Sequence, residues 1–374
     1  MRIVLAFRNL WHDRVRFAVT LAGIVFAVVL ITIQLGLFIG FAETTSSLID
    51  HARADIWIGA RGVQDVDQTV PFDDHKQYRV LGLDGVGATE PYIAQFAPWN
   101  AVGNAPETVI VVGFDPDTGV AAPWNVVAGS VADLKLPDTV MIDELYAGKL
   151  GVKRLGQVVE INGHHARVVA FTRGIRSFTQ SPYVFATLKS ARKYLDLPSH
   201  HADYILVTLR PDADPTAVRN AIASRLDNMA VLTKAEFSRR TRLYWMITTG
   251  AGLAVLVAAV MGLLVGSVVV AQTLYATTID HLKEFATLRA IGAAGRYIYA
   301  IILWQAAISA ALGYGVGLAL ATLATHVAKD AGPAIPMPWP LAVMVGILTL
   351  VMCAGAAVIS IRKVMRVDPV AVFR

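Results

Sequence analysis

The sequence predicts an α-helical membrane protein with four transmembrane helices in a one-plus-three layout and a large α+β extracytoplasmic domain between the first and second. Three observations predict it. The runs Phe17–Phe41, Ile247–Tyr275, Ile298–Thr325 and Leu341–Ile361 contain no Asp, Glu, Lys or Arg, and each reaches the roughly 20 residues that cross a bilayer. About 200 mostly polar residues separate the first run from the other three. Charges are spread unevenly around the runs. The mean hydropathy of +0.53 and a charged fraction of 16%, against about 25% in an ordinary soluble domain, exclude a water-facing helical core.

The first run, 17–41, is longer than the apolar region of a signal peptide and has no small-x-small cleavage site just beyond it, so it is expected to remain as an anchor. Segments 1–16, 276–297 and 362–374 hold eleven basic residues against four acidic ones, whereas the insert 42–246 holds 21 basic and 23 acidic. The positive-inside rule then puts both termini and the 276–297 loop in the cytoplasm, with the insert and the short 326–340 loop outside. The net charge of +5 therefore reports topology and anionic lipid headgroups, and no nucleic-acid partner is expected. The single cysteine, Cys353, lies inside the fourth run, so no disulfide is expected in the insert.

Within the insert, 43–54 continues helically as a stalk. Strands are expected at 54–59, 108–114, 139–143, 158–162, 165–171, 204–209 and 229–232, from their β-branched and aromatic runs. Asn162-Gly163 between two such runs marks a hairpin. Helices are expected at 188–195 and at 215–226, the latter entered through Asp214-Pro215 as cap and first-turn pair. Two lobes follow, one β-rich near 109–184 and one α/β lobe made from both ends of the insert. Residues 234–243 are helix-compatible and run directly into Tyr244-Trp245, so the second span is expected to continue outward without a break, as a rigid lever.

No catalytic constellation emerges, and no metal ligand set. His164-His165 and His200-His201 are adjacent pairs whose members point to opposite faces of a strand, so neither pair alone chelates. Asp65-x-Asp67 with Asp73 and Asp74 lacks the glycine and terminal Glu of a calcium loop and is expected to be a solvated acidic loop. The chain contains no Gly-x-Ser-x-Gly, His-Glu-x-x-His or Gly-x-x-x-x-Gly-Lys-Ser/Thr motif, so no cofactor is expected on it. The spans carry no ionisable group, which argues against an ion-driven carrier. Small residues at four-residue spacing, Gly36 with Gly40, Gly262 with Gly266 and Gly313 with Gly317, allow close helix approach. Each pair is a candidate for a dimer interface, Gly36, Gly40, Gly262 and Gly266 being those of the first two spans.

The cytoplasmic loop 276–297 reads ATTIDHLKEFATLRAIGAAGRY. Ile279, Leu282, Phe285 and Leu288 recur at near-helical spacing, Gly292 supplies a stop, and Asp280, Lys283, Glu284 and Arg289 stay on the polar surface. An apolar ridge with ionic edges suits either a groove on a cytoplasmic partner or the headgroup layer.

The segment from Lys283 to Gly292, KEFATLRAIG, resembles the coupling-helix signature E-x-x-T-L-R-A-x-G of MacB/FtsX-type ABC permeases. Residues 5–10, LAFRNL, followed by Arg14 to Phe17, are similar to the amphipathic helix that precedes the first span in that family. The ending from Asp368-Pro369 to Phe373-Arg374 is similar to its D-P-x-x-A-L-R terminus, with Val372-Phe373 in place of Ala-Leu. The string from Gln272 to Phe285 resembles the DevC-like subgroup most.

The resemblance implies a homodimer, or a pair of similar chains, in the bacterial cytoplasmic (inner) membrane. Two copies of a separate ABC ATPase subunit, which carries ATP and Mg, would dock on Ile279, Leu282, Lys283, Glu284, Phe285, Leu288, Arg289 and Gly292. It further implies an ATP-driven exporter working with a periplasmic adaptor (membrane-fusion protein) and an outer-membrane duct. The alternatives are an FtsX-like non-transporting signal transducer and a lipoprotein-releasing permease.

Overall fold

The computed structural model describes residues 14–179, 181–280, 295–327 and 335–364. The chain forms two compact units, Phe41–Ala251 and the membrane unit made of Met1–Gly40 with Gly252–Arg374. Among the described residues four helices are long and apolar enough to cross a membrane, over Phe17–Thr45, Ala251–Thr273, Tyr299–Val327 and Trp339–Val358. They belong to α1 (Arg14–Thr45), α7 (Ala251–Asp280), α8 (Gly295–Val327) and α9 (Trp339–Val364).

In the membrane unit the small residues set the packing. A Cβ placed on Gly23 would lie 2.5 Å from Val269 of α7, and one on Gly262 would lie 2.6 Å from Leu30 of α1. On α8, Gly317 meets Val28 at 2.7 Å and Gly313 is pressed against Ile24. The pairings descend along α7 and ascend along α8, so α1 runs antiparallel to α7 and parallel to α8, as an out-in-out order of spans requires. Ile24, Ala27, Val28 and Ile31 of α1 are buried with Ile302, Ala306 and Ala310 of α8 and with Val345, Cys353 and Ala357 of α9. Tyr314 of α8 donates its hydroxyl to the Ala342 carbonyl at 2.8 Å, tying α9 to α8.

The inserted unit is built on one long sheet. Its elements are α2 (Ser47–His51), β1 (Ile56–Ala60), β2 (Phe72–Asp73), α3 (Lys76–Leu81), β3 (Val86–Asn100), β4 (Glu107–Phe114), β5 (Val126–Ala128), β6 (Thr139–Asp143), β7 (Val158–Ile161) and β8 (His164–Thr172). They are followed by β9 (Tyr183–Thr187), α4 (Leu188–Tyr194), β10 (His201–Ala202), β11 (Tyr204–Leu209), α5 (Pro215–Arg225), β12 (Met229–Thr233) and α6 (Lys234–Leu243). The strand order is β12-β1-β11-β3-β4-β9-β6-β8-β5, with β7 beside β3 and β8, while β2 and β10 form a separate ladder.

The two expected lobes share a strand. The first half of β3, through Tyr92, pairs with β11, and the second half, from Ile93 to Trp99, pairs with β4. The element from β11 through α5 to β12 is a split βαβ unit, because β1 lies between its two strands and is antiparallel to both. Val218 and Ile222 of α5 are buried on Ile56, Ile58 and Ile205. Asp214 caps α5 by accepting from the N–H groups of Thr216 and Ala217, with Pro215 in the first turn. Asn162 and Gly163, at φ 47° and 80°, form the tight turn between β7 and β8.

Two expectations need correction. The second span is not continuous with the stalk helix: α6 passes into a wide π-helical turn, Tyr244–Thr248, and Gly250 then adopts φ +75° before α7 starts at Ala251. A left-handed residue cannot continue a right-handed helix, so the rigid lever is broken at residues 249–250.

The acidic loop is solvated only at Asp73, which is exposed. Asp65 is fully buried and Asp67 is buried, because Val63 and Val66 anchor their segment in the main core, and Asp74 is buried against Arg192. Gly36, Gly262 and Gly266 meet Ile335, Leu30 and Ala27 of the same chain. These close approaches are made within the chain, by α1 with α7 and with the residues just before α9.

Candidate transmission site

The inserted unit holds its two connecting helical segments together through a short, densely bonded pair of helices. α1 ends at Thr45, and Ser46, at φ −111°, separates it from α2. Leu48 and Ile49 bury themselves in the cluster that contains Phe237 of α6. α6 starts in a capping box, in which Thr233 accepts from the Glu236 N–H and Glu236 accepts from the Thr233 N–H. Arg219 of α5 donates to the same Glu236 at 2.8 Å.

Polar bonds lock the two helices on their exposed side. Arg242 donates from Nη2 to Asp50 Oδ2 at 2.7 Å and from Nε to Ser46 Oγ at 2.8 Å, and Ser46 Oγ donates to Asp50 Oδ2 at 2.7 Å. Partial burial pushes the Asp50 carboxyl up, but hydrogen bonds from Ser46, Ser238 and Arg242, with the Arg242 charge, together hold it below its ordinary value. Lys234 donates from Nζ to the Ala52 carbonyl at 2.7 Å, and its N–H donates to Asp55 O at 2.8 Å.

An aromatic wedge joins the same two segments. Phe178, on the loop between β8 and β9, has its ring 4.1 Å from that of Phe41 near the end of α1, and 4.4 Å from that of Trp245 in the π-helical turn. His51 stacks on Trp124 at 3.7 Å with an interplanar angle of 3°. Sequence reading did not single out Arg242, Asp50 or Phe178. The one available signal was the cationic run within KAEFSRRTRL beside an apolar helix end.

Buried acids form a second polar centre in this unit. Asp65 Oδ1 accepts from the N–H groups of Asp67 and Gln68, both at 2.8 Å, and Tyr204 donates its hydroxyl to the Asp65 carbonyl at 2.9 Å. Burial, with the Asp65 charge added, pushes the Asp67 carboxyl up to about 7. Burial likewise pushes Glu90 up to about 7, and Asp203 to about 6. A shallow hollow of about 560 Å³ beside α4 is lined by Lys135, Lys189, Arg192 and Lys193. Asp117, Asp74 and Asp138 already pair with Lys135, Arg192 and Lys193, so it makes a poor anion site.

Of the residues expected to dock an ATPase, Ile279 is exposed near the end of α7. Leu282, Lys283, Glu284, Phe285, Leu288, Arg289 and Gly292 lie outside the described residues, as do the amphipathic segment through residue 13 and the terminus from residue 365.

Four membrane-crossing helices with an α/β domain inserted after the first define a multi-pass membrane protein of the permease class. Residues 17–225, more than half of the chain, match the MacB-like periplasmic core domain, and residues 256–369 match the FtsX-like permease C-terminal region. The chain belongs to this family of MacB/FtsX-type ABC transporter permeases.

An uncharacterized ABC transporter permease of Mycobacterium tuberculosis is 25% identical to it over 97% of this chain and 96% of its own length. One of Mycobacterium bovis is 26% identical, with the same shares covered. The crystal structure of the periplasmic region of MacB from Actinobacillus actinomycetemcomitans superposes with a TM-score of 0.39 at 12% identity, over 51% of this chain and 94% of that one. The extracellular domain of the noncanonic ABC-type transporter YknZ from Gram-positive bacteria gives 0.37 at 12% identity, over 47% and 98%.

Proposed function

We propose that this chain is the membrane subunit of an ATP-driven exporter, in which a separate ABC ATPase docks on the 276–297 loop and its cycle moves the inserted unit. One observation carries this reading. α1 is a single helix from Arg14 to Thr45 that starts in the membrane unit and ends in the inserted one, in a chain whose four apolar runs hold no Asp, Glu, Lys or Arg for ion coupling.

The second connection supplies a pivot in place of a lever, since Gly250 separates α6 from α7. The Arg242–Asp50–Ser46 lock and the Phe178 wedge make the inserted ends of both connections move together. Among the described residues, the polar groups buried in the membrane unit are neutral, including Thr32, Gln305, Ser309 and Thr349. This supports a mechanism that handles cargo outside the bilayer.

In this reading the protein sits in a bacterial cytoplasmic membrane with its termini in the cytoplasm and works as a homodimer. An adaptor engages the inserted unit, and where the envelope has an outer membrane a duct completes the path. Capture of the full-length chain from crosslinked envelopes tests the assignment. Recovery of an ABC ATPase together with a membrane-fusion adaptor is expected. An ATPase with a cell-wall hydrolase in place of the adaptor would make the chain a transducer, and an acylated peptide would make it a lipoprotein-releasing permease.

A further inference from the structure

The β2–β10 ladder brings together side chains that the sequence keeps far apart. His201 pairs with Asp73 and Ala202 with Phe72, while the Asp74 N–H donates to the His200 carbonyl at 2.8 Å. Asp74, His75 and His200 each then offer one ligand atom, all within 4.8 Å of one another. The two imidazole rings lie 4.4 Å apart, tilted by 42°.

We propose that Asp74, His75 and His200 form a binding site for a divalent cation of the zinc, nickel and copper class on the inserted unit. Two imidazoles with one carboxylate are the donor set that such borderline ions favour over calcium or magnesium. At metal–nitrogen distances near 2 Å, tetrahedral donors stand about 3.3 Å apart. Small rotations of the exposed His75 and His200 side chains close the difference.

The surroundings are already arranged for an ion. Asp73 Oδ1 lies 2.7 Å from Nδ1 of His75 and accepts from the His75 N–H at 2.9 Å. A carboxylate on Nδ1 turns the ring and leaves Nε2 as the basic ligand atom, the arrangement that supports metal-bound histidines generally. Asp74 is buried, and Arg192 holds its Oδ2 at 2.5 Å while donating from Nε to the His201 carbonyl at 2.9 Å. The carboxylate is thereby fixed in place beside the two rings. Asp73 and Asp74 against Arg192 leave one negative charge in excess, which a dication offsets. His201, across the ladder from Asp73, keeps a buried Nδ1 without a hydrogen-bond partner. Three protein donors leave a fourth position open to water or to a donor from another molecule.

The test is titration of the untagged full-length chain in detergent with Zn²⁺, followed by calorimetry. One equivalent per chain is expected, weakened at least about 10-fold in His75→Gln and His200→Gln, and about 10-fold in Asp73→Asn through loss of ring orientation. His165→Gln should bind as the parent does. Absence of a one-equivalent event, or unchanged affinity in both histidine variants, would overturn the site. Should a variant unfold, Cu²⁺ paramagnetic resonance on the parent chain decides: two coordinated imidazoles support the site, and one or none refutes it.

Discussion

The guanidinium of Arg242 lies 2.7 Å from the carboxylate of Asp50, and Ser46 Oγ, bonded to both, completes a polar lock that ties the start of α2 to α6. Both side chains are partly exposed, 43% and 33%, so the pair contributes about 1 kcal/mol or less to stability. Arg242→Ala and Asp50→Asn should each lower the melting temperature by a few degrees, with the double variant no worse than the sum less that coupling. The folded Asp50 carboxyl titrates below its unfolded value of 3.8, so its contribution is present above that pH and is lost as pH falls through the folded value. A melting series from pH 7 down through the folded titration of Asp50 checks this, and an Arg242→Ala penalty that stays constant once that carboxyl is protonated would refute it.

Gly250 is the break that replaces the expected lever. A Cβ there meets nothing within 4 Å, but φ is +75°, so Gly250→Ala carries only the left-handed penalty of about 1–2 kcal/mol. That penalty favours a helix running through 249–250. Slower amide hydrogen exchange at residues 249–252 is expected in Gly250→Ala, and near-parental exchange in Gly250→Asn, since Asn tolerates the left-handed region. Equal behaviour of the two variants would argue against a pivot.

The buried acids give the inserted unit a pH dependence of definite sign. Asp67 titrates near 7 when folded against 3.8 as a free carboxyl, so between those values the native state holds a proton that the unfolded chain has released. Its contribution is full below about pH 4 and is lost as pH rises through 7, at up to about 1.4 kcal/mol per pH unit for one proton. Asp65 and the hydroxyls of Tyr92, Tyr183 and Tyr204 interact with it, and Glu90 and Asp203 act in the same direction. Asp67→Asn should melt higher than the parent at pH 8 and equal to it at pH 4. No gain at pH 8 would contradict the assignment.

Much of this fold is written locally. The strands Thr139–Asp143 and Tyr204–Leu209 and the helix Lys234–Leu243 fall where their side-chain patterns put them, because each carries its own period and its own cap or turn. β3 was not legible. Pro91 and Pro98 interrupt it, and burial along it does not alternate, since its two halves serve different neighbours. β2 and β10, two residues each, are too short to hold any pattern.

Residues brought together by topology were equally hidden. His75 meets His200, and Arg242 meets Asp50, only after the sheet has formed. The broken lever was different in kind. Thr248-Thr249-Gly250 stands at the end of the stalk helix, and its glycine was the warning that hydropathy alone overrode.

An ATPase subunit that drives this chain through the 276–297 loop must respond to it, and the most direct measurement is the ATP hydrolysis rate of that subunit reconstituted with the chain in lipid nanodiscs. The parent chain should stimulate hydrolysis, while Glu284→Lys and Leu288→Asp should return the rate to that of the ATPase alone and leave the chain's melting temperature unchanged. Full stimulation by both variants would contradict the claim.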